Sequence, residues 1–246
     1  MKMHKKLEVG LLGIGVLITF ILQFYIKSNL KIVEDTISTG IVETASHSLQ
    51  PFNTISTQCE ANITYKKGEP KIEIKTDKAY FDLFQYNQEG EHLELTFEGQ
   101  DIDQEIHITI YNNAPLNEIE VGGVDIFHYE HTDTIDNVSI KIKNASQFYG
   151  SMVGKTLQFK SNDASRTNLS GSFDTAEIKL RNASRANMKE LTIGDATITL
   201  NDASSLSANT TQSISISGYN ASKAIITGGP KVNTLIQKDA SRIEFE

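Results

Sequence analysis

The chain has 246 residues, 39% of them hydrophobic, with a formal net charge of −8, four prolines, no tryptophan and one cysteine. That much apolar material excludes a chain too polar to fold, and a lone thiol, Cys59, excludes an intrachain disulfide framework and reads as a small buried side chain. The charge is uneven, with an acidic excess over residues 30–137 and a mild basic excess over residues 138–246.

The first element is a membrane segment. From Val9 to Ile26 only Thr19 and Gln23 are polar, and eighteen helical residues span about 27 Å, one bilayer core. Lys2, Lys5 and Lys6 precede it, which orients the N-terminus to the cytoplasm. No small-x-small cleavage site follows. Residues 1–27 are therefore expected to form a cytoplasmic tip and an uncleaved transmembrane signal anchor, with the remainder exported to the periplasm or surface. The alternative is a cleaved signal peptide and a secreted product. Residues 28–49 have weak patterning and read as a spacer.

Residues 50–105 form an irregular front part. "NITYKKGEPKIEIKT", "EHLELTF" and "EIHITIYN" alternate apolar and polar residues and predict strands, with turns at 68–70 and 89–91. "TDKAYFDLFQY" reads as a short helix or a loop. These strands are expected to lead in as less regular coils or a cap.

Residues 106–246 repeat. Asn144, Asp163, Asn182, Asp202, Asn220 and Asp239 each open an Asx-Ala-Ser phrase, about 19 residues apart. Asp125 lies one further step upstream of Asn144. A strand with period-two alternation precedes each phrase. Stacked, these strands give an apolar column of Val121, Ile140, Phe159, Ile178, Ile198, Ile216 and Leu235, and a second that Asn233 interrupts. A period this short is too small for helix pairs and predicts an all-β solenoid, a parallel β-helix of about 19 residues per coil. The phrase is read as a corner: Asx tolerates unusual backbone angles, stacked Asx side chains can bond along the column, and Ala and Ser fit a sharp bend. A stack of Asp and Ser that binds ions or sugar hydroxyls is the functional alternative.

The stretch "QPFNTISTQCEANITYKKGEPKIEIKT", with Phe52, Ile55, Ile63 and Gly68, together with the later Asx-Ala-Ser units, resembles the head GIN domain family of autotransporter-type adhesins, chiefly of Bacteroidetes. The resemblance covers residues 50–246. It implies a right-handed β-helix outside the bacterial cytoplasm and brings no catalytic residues with it. The chain departs from the family pattern by placing Asn or Asp where Gly is common.

No nucleophile motif, phosphate loop, zinc spacing or dinucleotide fingerprint is present, and no cofactor is implied. His128 and His131, and the alternating Asp101, Asp103 and Glu105, lack the ligand sets of zinc and calcium sites. The outward columns are cationic. Arg166, Arg185, Lys223 and Arg242 recur three residues after an Asx, and Lys141, Lys160 and Lys179 recur on the strand before the corner. They read either as a solvated face or as a basic stripe for an acidic glycan or an envelope protein, with self-association among the outcomes. An exported, net-acidic chain does not suit nucleic acid. The expected role is a non-catalytic envelope binding or scaffold module, adhesive in kind. The alternatives are a carbohydrate-active enzyme on the same fold and a sensing component that binds a partner protein.

Overall fold

Each Asx-Ala-Ser phrase folds as a tight turn with two successive left-handed residues. Asn144 and Ala145 have φ of 56° and 61°, and the pairs opened by Asp163, Asn182, Asp202, Asn220 and Asp239 repeat this. The Ser146 N–H closes the turn onto the Lys143 carbonyl at 3.2 Å. That is a type I′ turn, whose backbone favours Asn and Asp. The Asx-Ala-Ser phrases thus form tight turns between successive strands.

The computed structural model describes residues 38–98 and 105–246. In chain order the strands are β1 Val42–Ser48, β2 Thr54–Gln58, β3 Asn62–Lys67, β4 Lys71–Asp77, β5 Phe84–Glu89, β6 His92–Phe97, β7 His107–Asn112, β8 Glu118–Gly122, β9 Ile126–Ile142, β10 Gln147–Ser161, β11 Arg166–Leu180, β12 Arg185–Leu200, β13 Ser205–Gly218, β14 Lys223–Thr227, β15 Lys231–Gln237 and β16 Arg242–Phe245. A short 3-10 helix, Lys78–Leu83, joins β4 to β5.

Strands β9 to β13 each pair in parallel with the next. Each bends between two faces, so one strand supplies most of a coil. The pre-corner face stacks β6, β2, β8, the second halves of β9 to β13, and β15. The post-corner face stacks β7, β3, the first halves of β9 to β13, β14 and β16. This is the expected parallel β-solenoid.

Its first coil is out of sequence order. β2 pairs with both β6 and β8, and β3 with both β7 and β9. The coil β2–β3 is thus sandwiched between two coils that follow it in the chain. Beyond β6 and β7 the stack ends in antiparallel strands: β4 on β7, β1 on β4, and β5 on β6. These cover the edge that a parallel stack would leave open.

The core runs as columns inside the coils. Ile119, Ile140, Phe159, Ile178, Ile198 and Ile216 stack in register and are buried. The expected partner of Ile140, Val121, instead sits over Ile142, because β9 carries extra residues between Tyr129 and Asp133 that β10 lacks. The same slip places Asp125 beside Ser146 rather than Asn144. At the far end Val232 lies over Ile214 and Ser215 over Thr234, so Asn233 is a bulge and does not interrupt the apolar column.

Two glycines are required by this stacking. A Cβ on Gly154 would lie 2.2 Å from the Ile135 carbonyl oxygen, and one on Gly171, whose φ is 112°, would lie 1.9 Å from that of Met152.

Residues 1–37 lie outside the described residues, and the expected membrane segment with them. Among the described residues no helix is long and apolar enough to cross a membrane. Within the expected spacer 28–49, Val42–Ser48 forms strand β1, held on β4. Its sequence gave little sign because the strand is exposed and depends on its partner.

Candidate functional site

The corners set the register of everything outside them. Gln147, Arg166, Arg185, Ser205, Lys223 and Arg242 fall in one column on the post-corner face. Adjacent coils are about 4.8 Å apart, so the Arg166 and Arg185 side chains start within one rung of each other. Both are exposed, as is Lys223. Among the described residues, Arg242 pairs with Glu244, whereas Arg166, Arg185 and Lys223 have no carboxylate partner. Stacked like charges repel, so this column holds cationic charge that the fold leaves uncompensated.

The next outward column places chemistry beside it. Tyr149, Asn168, Asn187 and Ser207 follow in register. The Tyr149 ring stacks on His128 with centroids 5.0 Å apart and planes 10° apart, and its hydroxyl donates to Gln147 Oε1 at 2.8 Å. Asn187 Nδ2 reaches Asn168 Oδ1 at 3.5 Å. Together Tyr149, Arg166, Asn168, Arg185 and Asn187 line a shallow depression of about 310 Å³. Two guanidinium groups, two amides and an aromatic face suit an anionic ligand with hydroxyls and a flat apolar side. Tyr149, Asn168 and Asn187 were absent from the sequence expectation. The signal for the asparagines was available two residues past each arginine, on the same side of a period-two strand; Tyr149 holds the same place past Gln147.

The lysines form a separate column. Lys141, Lys160 and Lys179 are in register, but they lie on the pre-corner face and do not extend the arginine column. Lys141 Nζ meets Glu118 Oε1 at 2.6 Å, and that bond holds the ammonium above its ordinary range. Lys143 meets Glu120 Oε1 at 2.5 Å, which holds the Glu120 carboxyl below its own. Lys179 pairs with Glu177. The front half's acid excess thus neutralises part of this column, and Lys160 alone of the three has no carboxylate partner among the described residues.

The corner residues bind one another. Asn182 Nδ2 donates to Asp163 Oδ1 at 2.7 Å and Asn220 Nδ2 to Asp202 Oδ1 at 2.8 Å. Ser146, Ser165, Ser184 and Ser204 are buried and bond neighbouring backbone or serine groups.

At the first such corner Asp125 takes the serine position. Its buried carboxylate accepts the Cys59 and Ala61 N–H groups, each at 3.0 Å. Burial pushes its pKa up to about 6 against the pull of those bonds. Burial, reinforced by the Asp125 charge, also pushes the Cys59 thiol up, so Cys59 is an inert packed side chain. Among the described residues no group of three His, Cys, Asp or Glu side chains could hold a metal ion.

Residues 51–230 match the family model described as "Putative auto-transporter adhesin, head GIN domain". Three crystal structures share the fold, each over 85% of this chain. A "putative adhesin" from Bacteroides fragilis is 19% identical, with 99% of its own chain covered and a TM-score of 0.80. A "putative adhesin" from Parabacteroides merdae is 15% identical, with 98% covered and a TM-score of 0.67. A "putative lipid binding protein" from Parabacteroides distasonis is 14% identical, with 98% covered and a TM-score of 0.69. No curated protein matches the chain.

Proposed function

The chain belongs to the head GIN domain family, and from that premise we propose that it is a non-catalytic, adhesin-like binding module of a bacterial envelope that holds acidic glycans against Arg166 and Arg185. The observation that carries this reading is the cationic column: Arg166, Arg185 and Lys223 stand in register with no carboxylate partner among the described residues, while Lys141, Lys143 and Lys179 are each paired. A carboxylate or sulfate on a sugar would bridge the two guanidinium groups. Asn168 and Asn187 would bond its hydroxyls, and the Tyr149 ring would face its C–H surface.

Residues 9–26 serve in this reading as a membrane anchor, which presents the solenoid outside the cytoplasm. The coils are taken as right-handed, the sense that parallel crossovers adopt.

The test is binding of the protein to polygalacturonate and heparin across a salt series, beside a variant with Arg166, Arg185, Lys223 and Arg242 all changed to Ser. Binding that weakens with salt and is lost in the variant supports the site. Equal binding by the variant, or none by the parent, rejects it.

A further inference from the structure

The pre-corner face carries a feature that the arginine column does not explain. Two adjoining depressions of about 810 Å³ and 510 Å³ share Thr156 and Gln158, and so form one trough along the stack. Ala114 and Pro115 wall one end, and the Asn233 bulge lies at the other. Each part has the volume of a ligand site.

We propose that this trough is a second, separate site, and that it binds an uncharged polysaccharide lying along the solenoid axis. The floor is two in-register columns. One runs Asn137, Thr156, Thr175, Asp195, Ser213; the other Ser139, Gln158, Glu177, Thr197, Ser215. Hydroxyls and amides both donate and accept, as sugar hydroxyls do. With coils about 4.8 Å apart, an extended row of sugar rings meets a fresh pair of polar side chains at every rung.

The charges fit an uncharged ligand. Asp136 meets Lys155 at 2.8 Å, and Glu177 pairs with Lys179. Asp195 accepts the Ser213 hydroxyl at 2.6 Å; it remains an acceptor for a sugar hydroxyl and repels an anionic one. Pro115 offers an apolar surface at the walled end. Among the described residues the trough has no aromatic ring in its lining, so each sugar is held by exchangeable hydrogen bonds of small net strength, and affinity must grow with the number of rungs filled.

The inference stands independently of the arginine site, and one experiment separates the two. The full chain is run in affinity electrophoresis against dextran, mannan and xyloglucan, with polygalacturonate in parallel. The expected result is retardation by at least one uncharged polysaccharide that does not change with salt and is weaker for its short oligosaccharides. The combined variant Thr156→Val, Gln158→Leu and Thr175→Val should weaken it tenfold or more and leave polygalacturonate binding unchanged. The single variant Thr197→Val should weaken it by a smaller factor, which covers loss of fold in the first. Arg166→Ser with Arg185→Ser should leave it intact. Retardation by none of the three polysaccharides, equal retardation of the trough variants, or loss in the arginine variant would overturn the proposal.

Discussion

The side-chain amide of Asn182 donates to the carboxylate of Asp163 one coil away, at 2.7 Å, and Asn220 does the same to Asp202. Along the corner column Asn and Asp alternate from Asn144 to Asp239. Alternation supplies a donor between successive acceptors and keeps any two carboxylates two rungs apart, where directly stacked aspartates would repel.

Replacing Asn182 by Asp would stack three carboxylates, from Asp163 to Asp202. We expect a loss of about 1–2 kcal/mol from one hydrogen bond and the new repulsion. Urea unfolding at low and high salt checks this. The deficit should shrink at high salt, and an equal deficit in both would assign the effect to geometry alone.

Gly171 should tolerate no side chain. Its φ of 112° suits glycine, and an added Cβ would meet the Met152 carbonyl oxygen at 1.9 Å. Gly171→Ala is expected to cost about 3 kcal/mol, from backbone strain and a forced parting of two coils. Ser170→Ala, one residue away and half-buried, should cost under about 1 kcal/mol. Denaturation midpoints of the pair decide it.

Asp125 gives the stability a particular pH dependence. Its folded pKa is raised from 3.8 to about 6, so between those values the folded chain holds more protons than the unfolded chain. Its contribution is therefore a penalty, absent below about pH 4 and complete above about pH 6, of about 3 kcal/mol for about two units. Stability should fall as pH rises through this window, and Asp125→Asn should flatten that slope. An unchanged slope in the variant would place the titration elsewhere.

Asp77 works in the opposite sense. Burial opposes its charge, but the Ala79 N–H and the Thr39 and Ser38 hydroxyls, all donated to it, hold its carboxyl far below the ordinary range. Its contribution is present above the unfolded pKa and is lost as pH falls through the folded one. Asp77→Ala should free the lead-in to β1, which limited proteolysis near residues 38–41 would detect as faster cleavage in the variant and in the parent at low pH.

Much of this architecture was legible because a solenoid repeats its physics. The Asx-Ala-Ser period located the corners, and period-two alternation located the inward columns. Reading failed where the period slips. The extra residues between Tyr129 and Asp133 moved Val121 and Asp125 by two places, and nothing in their own identity reveals a bulge in another strand. The antiparallel cap was read only as irregular strands, since the pairing of β1 with β4 is a matter of long-range registry. Of the candidate site, Arg166 and Arg185 were visible as a recurrence. That they have no carboxylate partner among the described residues was not, because ion pairs such as those of Glu118 and Glu120 with their lysines form across coils.

Because β2–β3 is clasped between coils built from later residues, chain order and stacking order differ. A chain growing or threading from its N-terminus brings out this coil with neither neighbour available. One edge finds its partners only when β6 and β7 have emerged, and the other only with β8 and the start of β9, up to Tyr129. At the front of the solenoid, therefore, coils cannot add to the stack one after another in chain order.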